Sequence, residues 1–135
     1  MSEHILNLFI ADGVTLGLVS VYIIDDHEQV RFALADRLGR VATIQVIGHT
    51  GNQRNILPDM NEFQPDVVLL EIKRRDGMGL QIIRQLASLP SSPRIVVLTS
   101  YAHSSEKKAA FQAGADHYFL KDIETDQLTK QIASY

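Results

Sequence analysis

Short runs of branched apolar residues alternate with helical segments along this chain, and this alternation limits the possible folds more than any other feature. The strand-like runs contain no charged residue in their centres, which is typical of strands buried in a parallel sheet. The pattern predicts five β-α units and a doubly wound α/β fold around a five-stranded parallel sheet. The predicted strands are Ser20–Ile24, Thr43–Gly48, Asp66–Leu70, Arg94–Leu98 and Tyr118–Leu120.

Apolar residues at helical spacing fill the segments between those runs. We expect a helix at Glu28–Leu38, with Val30, Leu34 and Leu38 on its inner face. Pro58 interrupts Asn52–Phe63 and predicts a short or bent helix there. Leu80, Ile83, Leu86 and Ala87 are expected on the inner face of the third helix. The fourth helix is predicted at Ser104–Ala113 and ends at Gly114. Leu128 and Ile132 are expected on the inner face of the last helix.

Composition excludes several classes of function. The chain has 135 residues, enough for about one domain with a single core. Its 13 basic and 16 acidic residues give a net charge of -3, which does not favour binding to nucleic acid or an anionic membrane. The absence of Cys excludes disulfides, thiolate catalysis and cysteine metal sites. We therefore expect a small acidic protein of the cytoplasm, without nucleic-acid contacts of its own.

The first 19 residues precede the β-α pattern and are treated as an N-terminal extension of one domain at 20–135. A membrane span over 5–24 is disfavoured, because Asn7 and Asp12 lie inside it and no basic residue precedes it. Leu8–Gly13 is typical of a strand followed by a turn. So apolar a segment is expected to pack either on its own domain or on a second copy of the chain. In the second case the protein would be a homodimer.

Polar side chains follow four of the predicted strands, at the points where those strands end. In doubly wound folds, ligands bind beyond the carboxyl ends of the strands, where the strand order reverses. These side chains are therefore expected to meet in one cleft. They are Asp25 and Asp26 after the first strand, Glu71 after the third, Thr99 and Ser100 at the fourth, and Lys121 after the fifth.

Several phrases around these positions are similar to one known family. They are IIDDH at 23–27, PDVVLLEI at 65–72, DGMGL at 76–80, RIVVLTSY at 94–101 and GADHYFLKD at 114–122. Together they resemble the receiver domain of two-component response regulators over about residues 20–135, in the style of receivers from LuxR-type regulators. The resemblance implies a flavodoxin-like fold with strand order 2-1-3-4-5 and a signalling protein that is not an enzyme. Because no DNA-binding domain follows, we expect a stand-alone receiver.

The resemblance implies a role for each polar residue of the cleft. Asp25 and Asp26 match the acidic pair that holds Mg2+, and the main-chain carbonyl of Lys73 would complete that metal site. The other matched positions concern the phosphoryl group: Thr99 would hydrogen-bond it, Lys121 would pair with it, Tyr118 is the aromatic residue that reports the active state, and Glu71 takes the place of the phosphate-accepting aspartate.

Glu71 departs from the family pattern in a way that changes the chemistry. Phosphoryl transfer needs nucleophile, phosphorus and leaving group in line, and a misplacement of about 1 Å costs on the order of 100-fold in rate. Ordinary aspartyl phosphorylation at this position is excluded. The longer carboxylate could imitate the phosphorylated state by reaching toward Lys121 and Thr99, or it could mark a switch that is no longer used.

The remaining site residues each have a plainer interpretation. Asp25 and Asp26 could cap the next helix, Thr99 could be a strand former and Tyr118 a core residue. His27 is interpreted as a surface residue and not a third metal ligand, because consecutive strand residues point to opposite faces. The basic run 73–75 is either a solvated loop or a source of guanidinium groups that neutralise the acidic pair in place of Mg2+.

Two functions are compatible with these residues. The first is an atypical receiver, not phosphorylated at the usual site, that contacts a histidine kinase or output protein through Ser104–Ala113, Tyr118–Leu120 and the last helix. The alternative is a Mg-dependent phospho-acceptor, phosphorylated by a kinase or small phosphodonor, that feeds transcriptional control. A flavodoxin-like FMN site is disfavoured because the acidic loop 25–28 would repel phosphate.

Overall fold

The computed structural model describes residues 18–133, in which five parallel strands form one sheet with helices on both faces. The strands are β1 (Val19–Ile24), β2 (Ile44–Thr50), β3 (Val67–Leu70), β4 (Arg94–Thr99) and β5 (His117–Leu120). The order across the sheet is β2-β1-β3-β4-β5, so the predicted doubly wound fold and its strand order are confirmed. The connection from β1 leads to one side of the sheet and the connection from β2 to the other.

Helices connect the strands in the predicted places. The helix interrupted by Pro58 is short: a 3-10 turn at Gln53–Asn55 comes first, and Pro58 then lies in the first turn of the α-helix. Proline is tolerated there because its missing N–H would have had no partner within the helix. The helices are α1 (Glu28–Gly39), α2 (Ile56–Phe63), α3 (Gly79–Ala87), α4 (Ser104–Ala113) and α5 (Thr125–Ala133).

Alternation along the central strands divides the core into two layers. Tyr22 and Ile24 of β1 pack with α2, α3 and α4, whereas Val21 and Ile23 pack with α1 and α5. All four residues of β3 are buried, as its continuous apolar run predicted. This double coverage leaves the carboxyl ends of the strands as the place where polar residues can gather.

The inner faces of two helices differ from the prediction. In α1 only Leu38 is fully buried, Leu34 is half-buried and Val30 is exposed. Residues four apart drift by about 40° per step around a helix of 3.6 residues per turn, so Val30 turns away from the sheet. In α3, Ile82 is buried and Ala87 is exposed, which the sequence pattern did not indicate.

Gly79 fixes the loop that leads from β3 into α3. A Cβ atom at this position would lie 2.1 Å from the carbonyl oxygen of Ile72, a distance that real Cβ atoms do not reach. Only glycine allows the two backbones to approach so closely. The loop at 72–79 is therefore closed at its base, and it carries the residues after Glu71 across the carboxyl end of the sheet.

The N-terminal predictions fall on a different part of the chain. Residues 1–17 lie outside the described residues, together with the predicted strand and turn at Leu8–Gly13 and the arm expected to mediate a homodimer. The division into an extension and a domain at 20–135 stays a prediction. Within residues 18–133, no helix is long and apolar enough to cross a bilayer.

Candidate functional site

Two buried carboxylates lie close together at the carboxyl end of the sheet. Asp25 follows β1 and Glu71 follows β3, and they are only 2% and 3% exposed. The main-chain N–H of Glu71 donates to the carbonyl oxygen of Ile24 at 2.9 Å, which continues the pairing of the two strands. Because the strand order reverses beside β1, both carboxylates border the crevice where such folds bind ligands.

Lys121 follows β5 and supplies a cation to both carboxylates. Its Nζ lies 2.6 Å from Asp25 Oδ2 and 3.0 Å from Glu71 Oε1. Burial alone would lower the pKa of Lys121, but hydrogen bonds to Asp25 and Glu71 outweigh this effect and raise the pKa above the ordinary lysine value. The structure thus brings together these three predicted site residues around a protonated ammonium group.

Glu71 has a donor on each oxygen. While Oε1 faces Lys121, Oε2 accepts the main-chain N–H of Lys73 at 3.1 Å. The carboxylate therefore points to the Lys121 side of the cleft, and the hydroxyl of Thr99 is bonded elsewhere. This differs from the geometry expected of a phosphoryl mimic, which would contact both Lys121 and Thr99.

The Lys73 side chain occupies the Thr99 side of the cleft. Its Nζ lies 3.2 Å from Thr99 Oγ1, 2.5 Å from the carbonyl oxygen of Tyr101 and 2.8 Å from Glu106 Oε1. The sequence predicted a role for the main-chain carbonyl of Lys73 but not for its side chain, and it gave no sign of Glu106. The spacing of apolar residues could not reveal that Glu106 contacts Lys73, because an acidic residue in the first turn of a helix such as α4 is ordinarily solvated.

Tyr118 is connected to Lys73 through the same glutamate. Its hydroxyl donates to Glu106 Oε1 at 2.5 Å and accepts the main-chain N–H of His103 at 3.3 Å. Burial, and then the hydrogen bond to Glu106, raises the pKa of Tyr118 to about 12. The hydroxyl is thus held against α4, and Glu106 links Lys73 and Tyr118.

Asp26 and His27 lie at the open side of the cleft, beyond the end of β1. Asp26 Oδ2 accepts the main-chain N–H of Arg75 at 2.8 Å, while its Oδ1 is buried and makes no hydrogen bond to the described residues. His27 Nδ1 lies 3.3 Å from both Asp25 Oδ1 and Asp26 Oδ1. The argument that these three residues point apart is wrong, because β1 ends at Ile24 and strand alternation ends with it.

The basic residues after Glu71 do not neutralise the acidic pair with their guanidinium groups. Arg74 is buried and donates from Nε and Nη2 to Asp76, and from Nη2 to the carbonyl oxygen of Gly51 at 2.8 Å. Its hydrogen bonds lower the pKa of Asp76. Arg75 is exposed, and within the described part of the chain its main-chain N–H, not its guanidinium group, contacts Asp26. The loop turns at Gly77, whose φ is +70°. The Arg74 side chain therefore lies against Asp76 of the same loop and not against the acidic pair.

The donor atoms left for a cation can be identified from these contacts. Mg2+ prefers an octahedral set of oxygens, but Lys121 takes Asp25 Oδ2, and the oxygens of Glu71 already have partners. Asp25 Oδ1, which accepts the main-chain N–H of His27 at 2.9 Å, the orphaned Asp26 Oδ1 and a nitrogen of His27 lie within 4.8 Å of one another. These residues fit a divalent cation.

The comparisons with known proteins agree on one family. The model of the response regulator receiver domain matches residues 21–133. The DNA-binding transcriptional activator DevR/DosR of Mycobacterium tuberculosis is 34% identical over 115 residues, which cover 85% of this chain and 53% of that protein. The response regulator VraR of Staphylococcus aureus is 28% identical over 114 residues, covering 84% and 54%. The chain spans about half the length of these curated relatives.

Solved structures agree with the fold. A LuxR-family two-component response regulator from Aurantimonas superposes with a TM-score of 0.79 at 22% identity, covering 87% of this chain and 84% of that one. The response regulator ChrA of a heme-sensing two-component system has a TM-score of 0.73 at 31% identity, covering 88% and 57%. The likeness therefore extends over nearly all of the described residues.

Proposed function

The chain belongs to the response regulator receiver domain family, and from that premise we propose a receiver that is not phosphorylated at its acceptor position and signals through protein contacts. Receiver domains of this family act in two-component signalling. The observation that carries the proposal is the ion pair between Glu71 Oε1 and Lys121 Nζ at 3.0 Å. It joins the residue at the acceptor position to the cation that would otherwise pair with a phosphoryl group.

The chemistry of the acceptor position supports this proposal. A glutamate carboxylate lies one methylene beyond that of an aspartate, and in-line transfer tolerates little displacement: about 1 Å costs on the order of 100-fold in rate. Glu71 is also buried, with an N–H donor on each oxygen. A carboxylate held in this way would have to break an ion pair before it could attack phosphorus.

The contacts of Lys73 favour a fixed state over mimicry of phosphorylation. Thr99, the other residue matched to phosphoryl binding, bonds to Lys73 Nζ and lies apart from the Glu71 contacts. A shift of a two-state population from 1:99 to 99:1 needs roughly 5.5 kcal/mol of differential binding. One carboxylate paired with one lysine does not supply a second contact at Thr99, so we infer that the pocket is held in one arrangement by its own side chains.

Exposed apolar residues on the α4-β5 side support signalling through protein contacts. Phe111 is 42% exposed and Leu120 is 41% exposed, while Tyr101 beside the cleft is 62% exposed. We propose that this face meets a histidine kinase or an output protein. The homodimer expected through the N-terminal extension also remains a proposal, and residues 1–17 of that extension lie outside the described residues.

A second function is favoured by a different observation. The unpartnered Asp26 Oδ1 is suited to a cation, and the similar protein DevR/DosR is named a transcriptional activator. In this alternative the chain is a Mg-dependent phospho-acceptor that feeds transcriptional control. Asp25 and Asp26 would hold Mg2+, which supplies positive charge to phosphoryl oxygens when it is bound.

Phosphodonor labelling separates the two functions. We expect no mass adduct, and no saturable amide NMR shifts beyond those caused by Mg2+ alone, when the protein is incubated with Mg2+ and acetyl phosphate or beryllofluoride. Glu71→Asp should gain an adduct, because the shorter carboxylate restores the acceptor geometry while leaving Thr99 and Lys121 in place. Glu71→Gln is the matched control and should gain none. A stable adduct on the unmodified protein would overturn the first function.

A further inference from the structure

We propose that a groove along α1 binds the chain's own N-terminal extension, with residues 8–12 lying in the groove and Asp12 paired with Arg37. The groove has a volume of about 210 Å3, and most of the side chains that line it are apolar. Its lining consists of Val30, Ala33, Leu34 and Arg37 from α1, with Leu98 and Lys121 from the ends of β4 and β5.

One face of α1 carries an apolar stripe that is poorly covered. Val30 is 39% exposed, Ala33 is exposed as well, and Leu34 beside them is only half-buried. Residues three and four apart lie on the same face of a helix, so these side chains form one continuous strip. Contact with another apolar segment would remove this strip from water, which is favourable.

Arg37 continues the stripe toward the end of α1 and lacks a partner. Its Nε and Nη2 are buried, and neither atom has a hydrogen-bond partner among the described residues. A buried guanidinium nitrogen that has lost water without gaining a partner is costly. The neighbouring Asp36 pairs with Arg40 instead. The groove therefore fits a segment that combines apolar side chains with a carboxylate.

The extension contains such a segment within residues 1–17, which lie outside the described residues. The run 8–11 is apolar, and Asp12 follows it directly. Alternate side chains of an extended segment share a face. In that conformation Leu8 and Ile10 would face the groove on the same side as the carboxylate of Asp12.

The spacing along the segment matches the spacing along the helix. A rise of about 3.3 Å per residue in an extended chain places Ile10 about 7 Å from Asp12. A rise of about 1.5 Å per residue in a helix places Ala33 about 6 Å from Arg37. With Asp12 at Arg37, Ile10 would therefore lie beside Ala33, and Leu8 would lie further toward the start of α1.

The connection is long enough for the segment to reach the groove of its own chain. Arg37 is in the last turn of α1, and the chain soon afterwards reaches Thr43, whose carbonyl oxygen accepts the N–H of Val19 at 3.0 Å. The end of α1 is therefore close to the start of β1. Residues 13–17 span roughly 16–18 Å when extended. So short a connection favours the chain's own groove over that of a second copy.

Amide hydrogen exchange of the full chain, followed by NMR, tests the pairing of Asp12 with Arg37. We expect the amides of residues 8–12 to be protected in the unmodified protein. Asp12→Asn and Arg37→Gln should each speed their exchange by about 10- to 100-fold, because a hydrogen bond to a charged group is lost. Asp12 lies outside 18–133, so its substitution leaves the residues of the domain unchanged.

Each variant has a matched control. Arg40→Gln replaces an arginine at the end of α1 whose side chain is 78% exposed, and Glu3→Gln replaces the other acidic residue of the extension. Both should leave the exchange of residues 8–12 unchanged. Equal exchange rates in Arg37→Gln and Arg40→Gln, or unprotected amides at 8–12 in the unmodified protein, would overturn the proposal.

An introduced disulfide distinguishes the chain's own groove from that of a second copy. The chain has no Cys, so Ile10→Cys combined with Ala33→Cys supplies its only thiols. We expect oxidation at low protein concentration to close a disulfide within one chain, which runs as a monomer on a non-reducing gel. A disulfide-linked dimer as the main product would overturn the proposal in favour of a homodimer that exchanges its extensions.

Discussion

The two lysines of the cleft carry the same charge in different surroundings. Lys121 has a side chain that is 18% exposed and neutralises two carboxylates that are almost fully buried. Lys73 is 33% exposed and pairs with the half-buried Glu106. Breaking a buried ion pair leaves an uncompensated charge out of water, whereas water can replace a partner near the surface. The contacts of Lys121 with Asp25 and Glu71 should therefore contribute most to the free energy of unfolding. The contacts of Lys73 should mainly hold Thr99 and Glu106 in position.

Loss of the deeper cation gives the largest expected effect. Lys121→Met should lower the free energy of unfolding by about 3 kcal/mol or more, because Asp25 and Glu71 remain buried without their cation. Urea denaturation measures this difference. Lys130→Met, which removes an exposed lysine from α5, should change stability by less than about 0.5 kcal/mol. Equal effects in the two variants would remove the distinction between buried and exposed lysines.

Alkaline pH should act on the deeper cluster in a specific direction. The folded-state pKa of Lys121 is raised, so its contribution to stability is complete below the unfolded-state pKa and is lost as pH rises through the folded-state pKa. Unfolding free energy should therefore fall above the ordinary lysine range. The fall should be shallower in Lys121→Met, and an unchanged slope would contradict the assignment.

Removal of the outer lysine should have a smaller effect on stability. Lys73→Met is expected to cost about 1 kcal/mol or less, because the Lys73 and Glu106 pair is partly screened by water. In 1 M salt, where charges are screened beyond about 3 Å, the difference should shrink further. Lys107→Met, an exposed lysine of α4, is the matched control. A loss as large as that of Lys121→Met would make the two clusters equivalent.

The smallest effect is expected on the titration of Tyr118. Burial and the hydrogen bond to Glu106 raise its pKa to about 12, so Glu106→Gln should move the pKa toward the ordinary tyrosine value while burial keeps part of the shift. Ultraviolet difference spectra of tyrosinate report the change, with Tyr118→Phe identifying the signal. No change would show that Glu106 does not hold the hydroxyl.

Local patterns predicted the framework of the fold. The helix at Ser104–Ala113 has the predicted bounds, and the strand that the sequence placed at Asp66–Leu70 is β3. Such elements follow from apolar periodicity and from Gly or Pro at their ends, which are properties of neighbouring residues. The gathering of Asp25, Glu71 and Lys121 at one edge could be predicted for the same reason, since parallel strands present their carboxyl ends together.

Side-chain direction in the loops could not be predicted in this way. Three basic residues follow Glu71, yet Lys73 points to Thr99, Arg74 to Asp76 and Arg75 to solvent. These directions depend on the turn at 72–79 and on partners distant in sequence. His27 is exposed, as predicted, but it does not point away from the acidic pair, because strand alternation was applied to residues 25–27, which lie one to three positions beyond the end of β1.

The close contact at Gly79 gives the loop after β3 a mechanical property. Its two ends touch at Ile72 and Gly79, so the loop cannot slide along either element. A displacement at Arg75, whose main chain touches Asp26, has to be absorbed by backbone rotation, and Gly77 with its φ of +70° is the residue within the loop best suited to it. The close approach at its base therefore ties any change of the backbone at Arg75 to the conformation of Gly77 and not to the position of α3.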